Sequence, residues 1–400
     1  MASVPGEASR GRPRSRGGSL LYDPFVRGIA AQALVAIIII GLIAWFASNT
    51  IENLQRLNIA SGFGFLWSRA GFDISQTLIP YTSDSTYGRA FFVGLLNTLL
   101  VAVVGIVLAT ILGFLAGVAR LSKNAVLSGV ATVYVETLRN IPVLLQIVFW
   151  YRAVLSLLPA PRQAIELPFD SFLSNRGLLL PRIVAEPGAM ATLVAIGVAV
   201  VAVIVLRAWA YRRQMATGQP FPTLLVGIAI LILVPGVVFL ATGMPVSLEY
   251  PELKGFNFVG GFHILPEFIA LLLGLTLYTG TFIAEIVRAG ILAVPRGQTE
   301  AAYALGLRPG TTTRKVIIPQ AMRVIVPPLT NQYLNLTKNS SLAVAIAYPE
   351  LVSVFAGTVL NQTGQAVEAI FMTMMVYLAI SILTALFMNW FNRRIMLVER

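Results

Sequence analysis

Three sets of residues in this chain have the types and spacing to do chemistry, and none of them is catalytic in kind. The first is Glu300-Ala301-Ala302-Tyr303-Ala304-Leu305-Gly306, a short small-residue segment stopped by Gly306 and by Arg308-Pro309-Gly310 just beyond it. It lies between long apolar spans, and a helix this short with mostly basic neighbours cannot bury itself in lipid. It therefore belongs at a membrane face. Its alanines let another protein's surface approach the backbone closely. The chemistry expected of Glu300, Ala301, Ala302, Leu305 and Gly306 is docking, as a lever seated in a partner's groove.

The second set is Thr337-Lys338-Asn339-Ser340-Ser341, five consecutive polar residues inside an apolar stretch, with Asn331, Gln332 and Asn335 just upstream. Such a run cannot face lipid cheaply. One solution is a broken helix lining a cavity, where a half-helix amino terminus receives a substrate carboxylate and Lys338 supplies charge. The other is that the span begins later, near Leu342, and the run lies at the cytoplasmic interface. The third set places charges within spans: Glu136 with Arg139 and Glu285 with Arg288, each pair three residues apart and so on one helix face. These residues either line a polar route through the bundle or act structurally, bracing helices, neutralising one another or snorkelling to an interface.

The same inventory excludes several classes. There is no cysteine and a single histidine, His263, so disulfides, thiolate metal sites and histidine clusters are out. No Gly-x-x-x-x-Gly-Lys-Ser/Thr phosphate-binding loop occurs, so the chain itself is not expected to hydrolyse ATP. The net charge of +12 sits in short loops between apolar spans and forms no continuous aromatic-rich patch, which argues against nucleic acid. His263 reads as a surface residue.

The elements that must position these residues are membrane helices. At 57% hydrophobic, 12% charged and a mean hydropathy of +0.80, the chain is too apolar for a soluble domain. Eight spans come near the length needed to cross a bilayer: 28–48, 90–119, 126–151, 188–206, 222–243, 266–287, 324–359 and 366–390. The seventh is the least regular, interrupted by Pro327-Pro328 and the polar run. No alternating strand pattern of barrel length recurs, so an all-α bundle is expected. With the amino terminus inside, 19 of the 29 basic residues fall on the cytoplasmic side, which sets both termini in the cytoplasm. Residues 1–27, rich in Gly, Ser and Arg, read as a disordered basic tail rather than a signal peptide.

The Glu300 segment also carries a resemblance. Glu300-Ala301-Ala302, three residues, Gly306, nine residues and then Val316-Ile317-Ile318-Pro319 resembles the cytoplasmic coupling loop of permease subunits of type I ABC importers. Val316 and Ile318 stand where that family favours Ile and Leu. The run Tyr278-Thr279-Gly280-Thr281-Phe282-Ile283-Ala284-Glu285-Ile286-Val287-Arg288-Ala289-Gly290, followed by Val294-Pro295-Arg296-Gly297-Gln298, is similar to the polar amino acid branch, as is Tyr134-Val135-Glu136-Thr137-Leu138-Arg139-Asn140-Ile141-Pro142. The likeness covers roughly 90–158 and 266–395. Two apolar spans inserted between these blocks resemble the extended permeases of general L-amino acid, or glutamate/glutamine/aspartate/asparagine, uptake systems.

The resemblance implies an amino acid importer of the bacterial inner membrane, working by alternating access. ATP is then used by separate ATP-binding subunits, with no cofactor or metal in this chain. A periplasmic amino acid-binding protein delivers substrate, and a second, non-identical permease subunit completes the pore within membrane lipid. Glu300 would contact basic groups on the ATPase and Leu305 would fill its groove. The expected divisions are a tail at 1–27, a first helix and periplasmic segment at 28–89, and a first block of the permease core at 90–158. Inserted loops and two extra helices follow at 159–265, then a second core block at 266–400 with the coupling loop at 291–323. The external stretches 49–89 and 158–187 are candidate landing surfaces for the binding protein, or plain solvated loops. Two other classes remain: a transporter driven by an ion gradient, recruiting Glu136 and Glu285, and a non-transporting scaffold that docks an ATPase.

Overall fold

The computed structural model describes residues 24–56 and 61–395. Most of the expected tail, residues 1–23, lies outside them, with 57–60 and 396–400. Helix α1 (Pro24–Arg56) carries an apolar window that is wholly exposed, as lipid contact requires. The bundle proper begins at α2 (Tyr87–Ala119), whose first turn is capped by Thr86 Oγ1 accepting from the Arg89 N–H. It continues through α3 (Ala125–Arg139) and α4 (Val143–Leu157) to the central helix α7 (Pro266–Leu292), against which α2, α3, α4 and α10 (Ile318–Asn339) all pack. Helix α12 (Ala366–Ile395) closes the bundle against α10.

Glycines set the α2–α7 seam. A Cβ built on Gly113 would stand 2.5 Å from the Ile283 Cβ, and one on Gly117 would stand 2.6 Å from the Ala284 carbonyl oxygen. Without a hydrophobic drive between helices in lipid, close backbone approach of this kind is what holds them together. The core that results joins Val101 and Ala109 of α2, Ile147 of α4, Leu271, Leu275 and Ile283 of α7, and Ile325, Leu329 and Leu336 of α10. Numbers rise together along α2 and α7, so both helices run the same way, while α10 runs back.

The expected third span is an elbow. Helices α3 and α4 meet at 107°, with the break at Asn140-Ile141-Pro142, because proline disfavours helix in the residue before it. The carbonyls freed there are answered by side chains: Gln146 Nε2 donates to Leu138 O at 2.8 Å and Ile141 O at 3.0 Å, and Asn140 Nδ2 donates to Glu136 O at 2.7 Å.

The expectation of about eight membrane helices roughly fits. Among the described residues six helices are long and apolar enough to cross a membrane, or seven if the α3–α4 elbow is one span. The difference lies at 324–359. There α10 ends at Asn339, a 3-10 stretch Ser340–Ile346 follows, Ala347 turns the chain with φ of 57°, and π-helical turns run over Val352–Val359 into α11 (Leu360–Thr363). Helix α10, at 22 residues, is long enough to cross a bilayer, but its prolines and polar residues make it less apolar than the other six.

Short strands also occur, which the absence of a barrel pattern did not announce. A four-stranded antiparallel sheet is built from β1 (Ile165–Leu167), β2 (Ser171–Ser174), β3 (Gly177–Leu180) and β8 (Phe262–Ile264). Two-stranded pairs join β4 (Arg182–Ala185) to β5 (Val246–Glu249) and β6 (Glu252–Lys254) to β7 (Asn257–Val259). All lie at one end of the molecule, the strand face. His263 sits there exposed, its Nε2 2.6 Å from the Arg176 carbonyl. From the strand face rises a hairpin of α5 (Ala189–Thr217) and α6 (Thr223–Ala241), packed chiefly on each other.

Candidate functional site

The expected docking segment is helix α8 (Arg296–Ala304), beginning four residues before Glu300. Pro295 precedes its first turn. It ends in a Schellman motif: Leu307 N–H donates to Ala302 O at 3.1 Å and Gly306 N–H to Tyr303 O at 2.9 Å, with Gly306 at φ of 75°. Glycine is suited to that left-handed turn, so the abrupt stop is a backbone requirement. Glu300, Ala301, Leu305 and Gly306 are exposed, and Leu305 holds 81% of its surface open. Ala302 is the inward residue, buried on the chain's own π-helical turn Thr313–Ile317, next to α9 (Pro309–Thr312). Of the five expected docking residues it is the one turned inward. Gln320 Nε2 donates to Gln298 Oε1 at 3.2 Å and ties α8 to the start of α10.

The polar run divides by helical position. Thr337 and Ser340 are buried and satisfied locally, Thr337 Oγ1 donating to Tyr333 O at 2.9 Å and Ser340 Oγ to Thr337 O at 2.7 Å. Lys338 and Ser341 instead line an open groove of about 360 Å3 with Val352, Thr373, Met374 and Tyr377, while Asn339 is half-buried beside them. Among the described residues Lys338 has no ion-pair partner. The half-helix amino terminus expected here is not at the run: residues 337–339 are the carboxyl end of the 22-residue α10, where the dipole repels an anion. The run is also some 30 Å along α10 from the α8 end, at about 1.5 Å per residue. This separates it from the α8 face.

The amino terminus that does exist belongs to the π-helical turns, and the chain caps it with its own acid. Glu350, fully buried, accepts from Val352 N–H and Ser353 N–H, both at 2.8 Å, and from Tyr377 Oη at 2.9 Å. Beside it Asn97 Nδ2 donates to Pro349 O at 2.8 Å and Leu351 N–H donates to Thr98 Oγ1 at 3.0 Å. Glu350, Asn97, Thr98 and Tyr377 are not among the residues that sequence reasoning singles out. The signal is nonetheless present, since Pro349-Glu350 inside an expected span is an acid that must have a partner.

The paired charges are rearranged. Arg288 Nη2 lies 2.6 Å from Glu285 Oε1, so that pair forms as spaced. Glu136 and Arg139 do not pair: Arg139 lies over the Phe282 ring at 5.2 Å, and Glu136 meets Arg120 at 3.2 Å. Arg120, at the end of α2, also holds Glu285 Oε2 at 2.6 Å. It thereby joins α2, α3 and α7 in one network near the α8 face. In the sequence Arg120 counts only as a loop charge, because the bend that brings it to α7 is not written locally.

Among the described residues no group of three or more His, Asp or Glu is placed to hold a metal ion. Residues 191–397 match the family described as binding-protein-dependent transport system inner membrane component. The chain is 55% identical to the general L-amino acid transport system permease protein AapQ of Rhizobium johnstonii, over 96% of this chain and 95% of that one. It is 52% identical to the putative amino-acid ABC transporter permease protein YhdX of Escherichia coli, over 96% and 98% of the two chains. With the glutamate/glutamine/aspartate/asparagine transport system permease protein BztB of Rhodobacter capsulatus it shares 45% identity over 95% and 96%. Among solved structures, that of an amino acid ABC transporter with histidines matches with a TM-score of 0.45 at 19% identity, covering 77% of this chain and 95% of that one.

Proposed function

Because the chain belongs to the family of binding-protein-dependent transport system inner membrane components, we propose how its elements work together in amino acid uptake. The protein is an amino acid ABC transporter permease, a multi-pass component of the inner membrane that is not itself an enzyme. ATP-binding subunits and a substrate-binding protein are its partners. The observation that carries the working arrangement is α8: a helix clamped to the bundle through Ala302, stopped at Gly306, and offering Leu305 to solvent.

In this reading α8 is the coupling helix and its face is cytoplasmic, as are both termini. Glu300 meets basic groups of the ATPase, and Leu305 fills a groove on it. Closure of the ATPases on ATP moves α8, and α8 moves α10 through the turn Thr313–Ile317 and the Gln298–Gln320 contact. The far end of α10 bears Lys338, Asn339, Ser340 and Ser341, so the groove they edge is altered with it. Lys338 supplies the charge for a substrate carboxylate, and Glu136, Arg139, Glu285 and Arg288 stand near the cytoplasmic end of the route. A second permease subunit of non-identical sequence completes the pore. The binding protein lands at the strand-face end of the bundle, with 49–89 and 158–187 as its expected landing surfaces.

The test is ATP-dependent uptake of labelled glutamate, glutamine and a neutral aliphatic amino acid into proteoliposomes holding the assembled transporter. Uptake of all three is expected in the native complex. Gly306→Val is expected to abolish uptake while the complex still assembles. Uptake that survives without ATP and collapses with the proton gradient would overturn the mechanism.

A further inference from the structure

From Pro187 to Leu248 the chain contains no acidic residue, yet it carries Arg207, Arg212 and Arg213. All three lie toward the carboxyl end of α5, which runs to Thr217. Arg207 is 18 residues from Ala189, about 27 Å along the helix. A helix entering the membrane near Ala189 would therefore leave a hydrocarbon core of about 30 Å close to Arg207, at headgroup level. Trp209 and Tyr211, 48% and 61% exposed, mark the same level, as aromatic residues do at membrane interfaces.

The arginines are placed unequally. Arg207, Tyr211 and Gln214 fall on one face and line a groove of about 640 Å3 with Phe221, just before α6, and Thr223, its first residue. Arg207 and Thr223 also line a second groove, of about 320 Å3, that runs up the hairpin past Val203, Gly227 and Leu231. Gly227 borders that groove where α6 packs closely on α5, a Cβ there standing 3.4 Å from Val203. Arg213 is held over the rings of Trp209 at 5.5 Å and Phe221 at 5.9 Å, which fixes a second cation at the tip. Among the described residues none of the three has an ion-pair partner.

We propose that the α5–α6 tip binds an anionic phospholipid, its phosphate on Arg207 with Tyr211 and Gln214, and an acyl chain along the apolar groove beside Gly227. Charge and shape agree on this occupant: uncompensated cations at headgroup level stand over an apolar slot that runs into the membrane. Basic pockets between helices on the cytoplasmic side suit such headgroups. The lipid would anchor a hairpin that packs chiefly on itself.

The assembled transporter, reconstituted in mixed phosphatidylglycerol and phosphatidylcholine of matched chains, is released from the bilayer and its retained lipids are weighed by native mass spectrometry. Phosphatidylglycerol is expected to be retained over phosphatidylcholine, and excess inorganic phosphate is expected not to displace it. Arg207→Gln should reduce that retention about fivefold, and Arg207→Gln with Arg213→Gln further, at roughly fivefold for each charge. Arg182→Gln, on the strand face, should change nothing. Equal retention of the two lipids by the native complex overturns the proposal without reference to any variant. Displacement by inorganic phosphate would make this a free-anion site. Loss of a protein subunit in the Arg207 variant, with its lipid unchanged, would make it a protein contact; either result overturns the lipid assignment.

Discussion

Replacing Arg120 by Met tests whether the charges near the α8 face brace helices or serve the substrate. The Arg120 side chain is 12% exposed and holds Glu285 at 2.6 Å, with the Glu285 side chain 29% exposed. Two unit charges about 4 Å apart at an effective dielectric near 20 attract by about 4 kcal/mol. Desolvation offsets part of that attraction, and a net of about 2 kcal/mol is what a hydrogen bond between charged groups contributes. The second arm, to Glu136 with its side chain 58% exposed, adds no more than about 0.5 kcal/mol. Glu285 keeps Arg288, so no carboxylate is stranded. Arg120→Met should then cost about 2 kcal/mol, and a double-mutant cycle with Glu285→Gln should recover about 1.5 kcal/mol of coupling. Thermal unfolding of the purified complex measures both, as a fall on the order of 3 °C in Tm for the single variant. A brace leaves the KM for uptake within about twofold of native, since no substrate contact is lost. Additive effects on Tm, or a KM that rises severalfold with Tm unchanged, would refute the brace and assign these residues to the route.

Leu305→Ala should weaken association with the ATPase by about 2 kcal/mol, some thirtyfold in Kd, because docking would bury most of a side chain that is 81% exposed; surface-immobilised binding measures it. Gly113→Leu should abolish the folded transporter, because even a Cβ there would stand 2.5 Å from Ile283; size-exclusion of the purified complex reads the outcome. Glu350→Ala leaves two partly buried N–H groups and the Tyr377 hydroxyl without their acceptor, at up to about 1 kcal/mol for each. Glu350→Gln keeps an acceptor oxygen, so thermal unfolding should rank the native protein above Gln and Gln well above Ala.

What can be read from the sequence is whatever local chemistry dictates. Composition requires membrane helices, and Gly306 with Arg308-Pro309-Gly310 requires α8 to stop where it does. Pro142 is in plain view as well, yet the third span reads as continuous, because a proline kink and a 107° elbow look the same in a hydropathy window. The charges are legible but their pairing is not. Spacing of three residues makes Glu136 and Arg139 neighbours on a helix face, but the ion pair Glu136 makes is with Arg120, 16 residues away at the end of α2. Strands of three or four residues escape notice because they are too short to alternate visibly and pair across the α5–α6 insertion, as β3 does with β8.

The stretch from Ser340 to Val359 shows where regularity is given up. Along α2 and α7 the backbones close on Gly113 and Gly117 with no slack, which suits elements that move as one body. Between α10 and α12 the chain instead passes through a 3-10 stretch, a left-handed Ala347 and π-helical turns. Irregular backbone at membrane depth is tolerated where protein groups satisfy it and a cavity borders it. Both conditions hold: Asn97, Thr98 and Glu350 take up the backbone groups at Pro349, Leu351, Val352 and Ser353, and the groove at Lys338 runs alongside. These contacts come from side chains on α2 and on the segment itself, while Tyr377 adds α12. The Glu350 cap thus lets two rigid helices share one irregular segment. Any shift of α10 relative to α2 must either carry these bonds along intact or exchange them, and the short, discrete geometry of each bond favours two arrangements over a continuum.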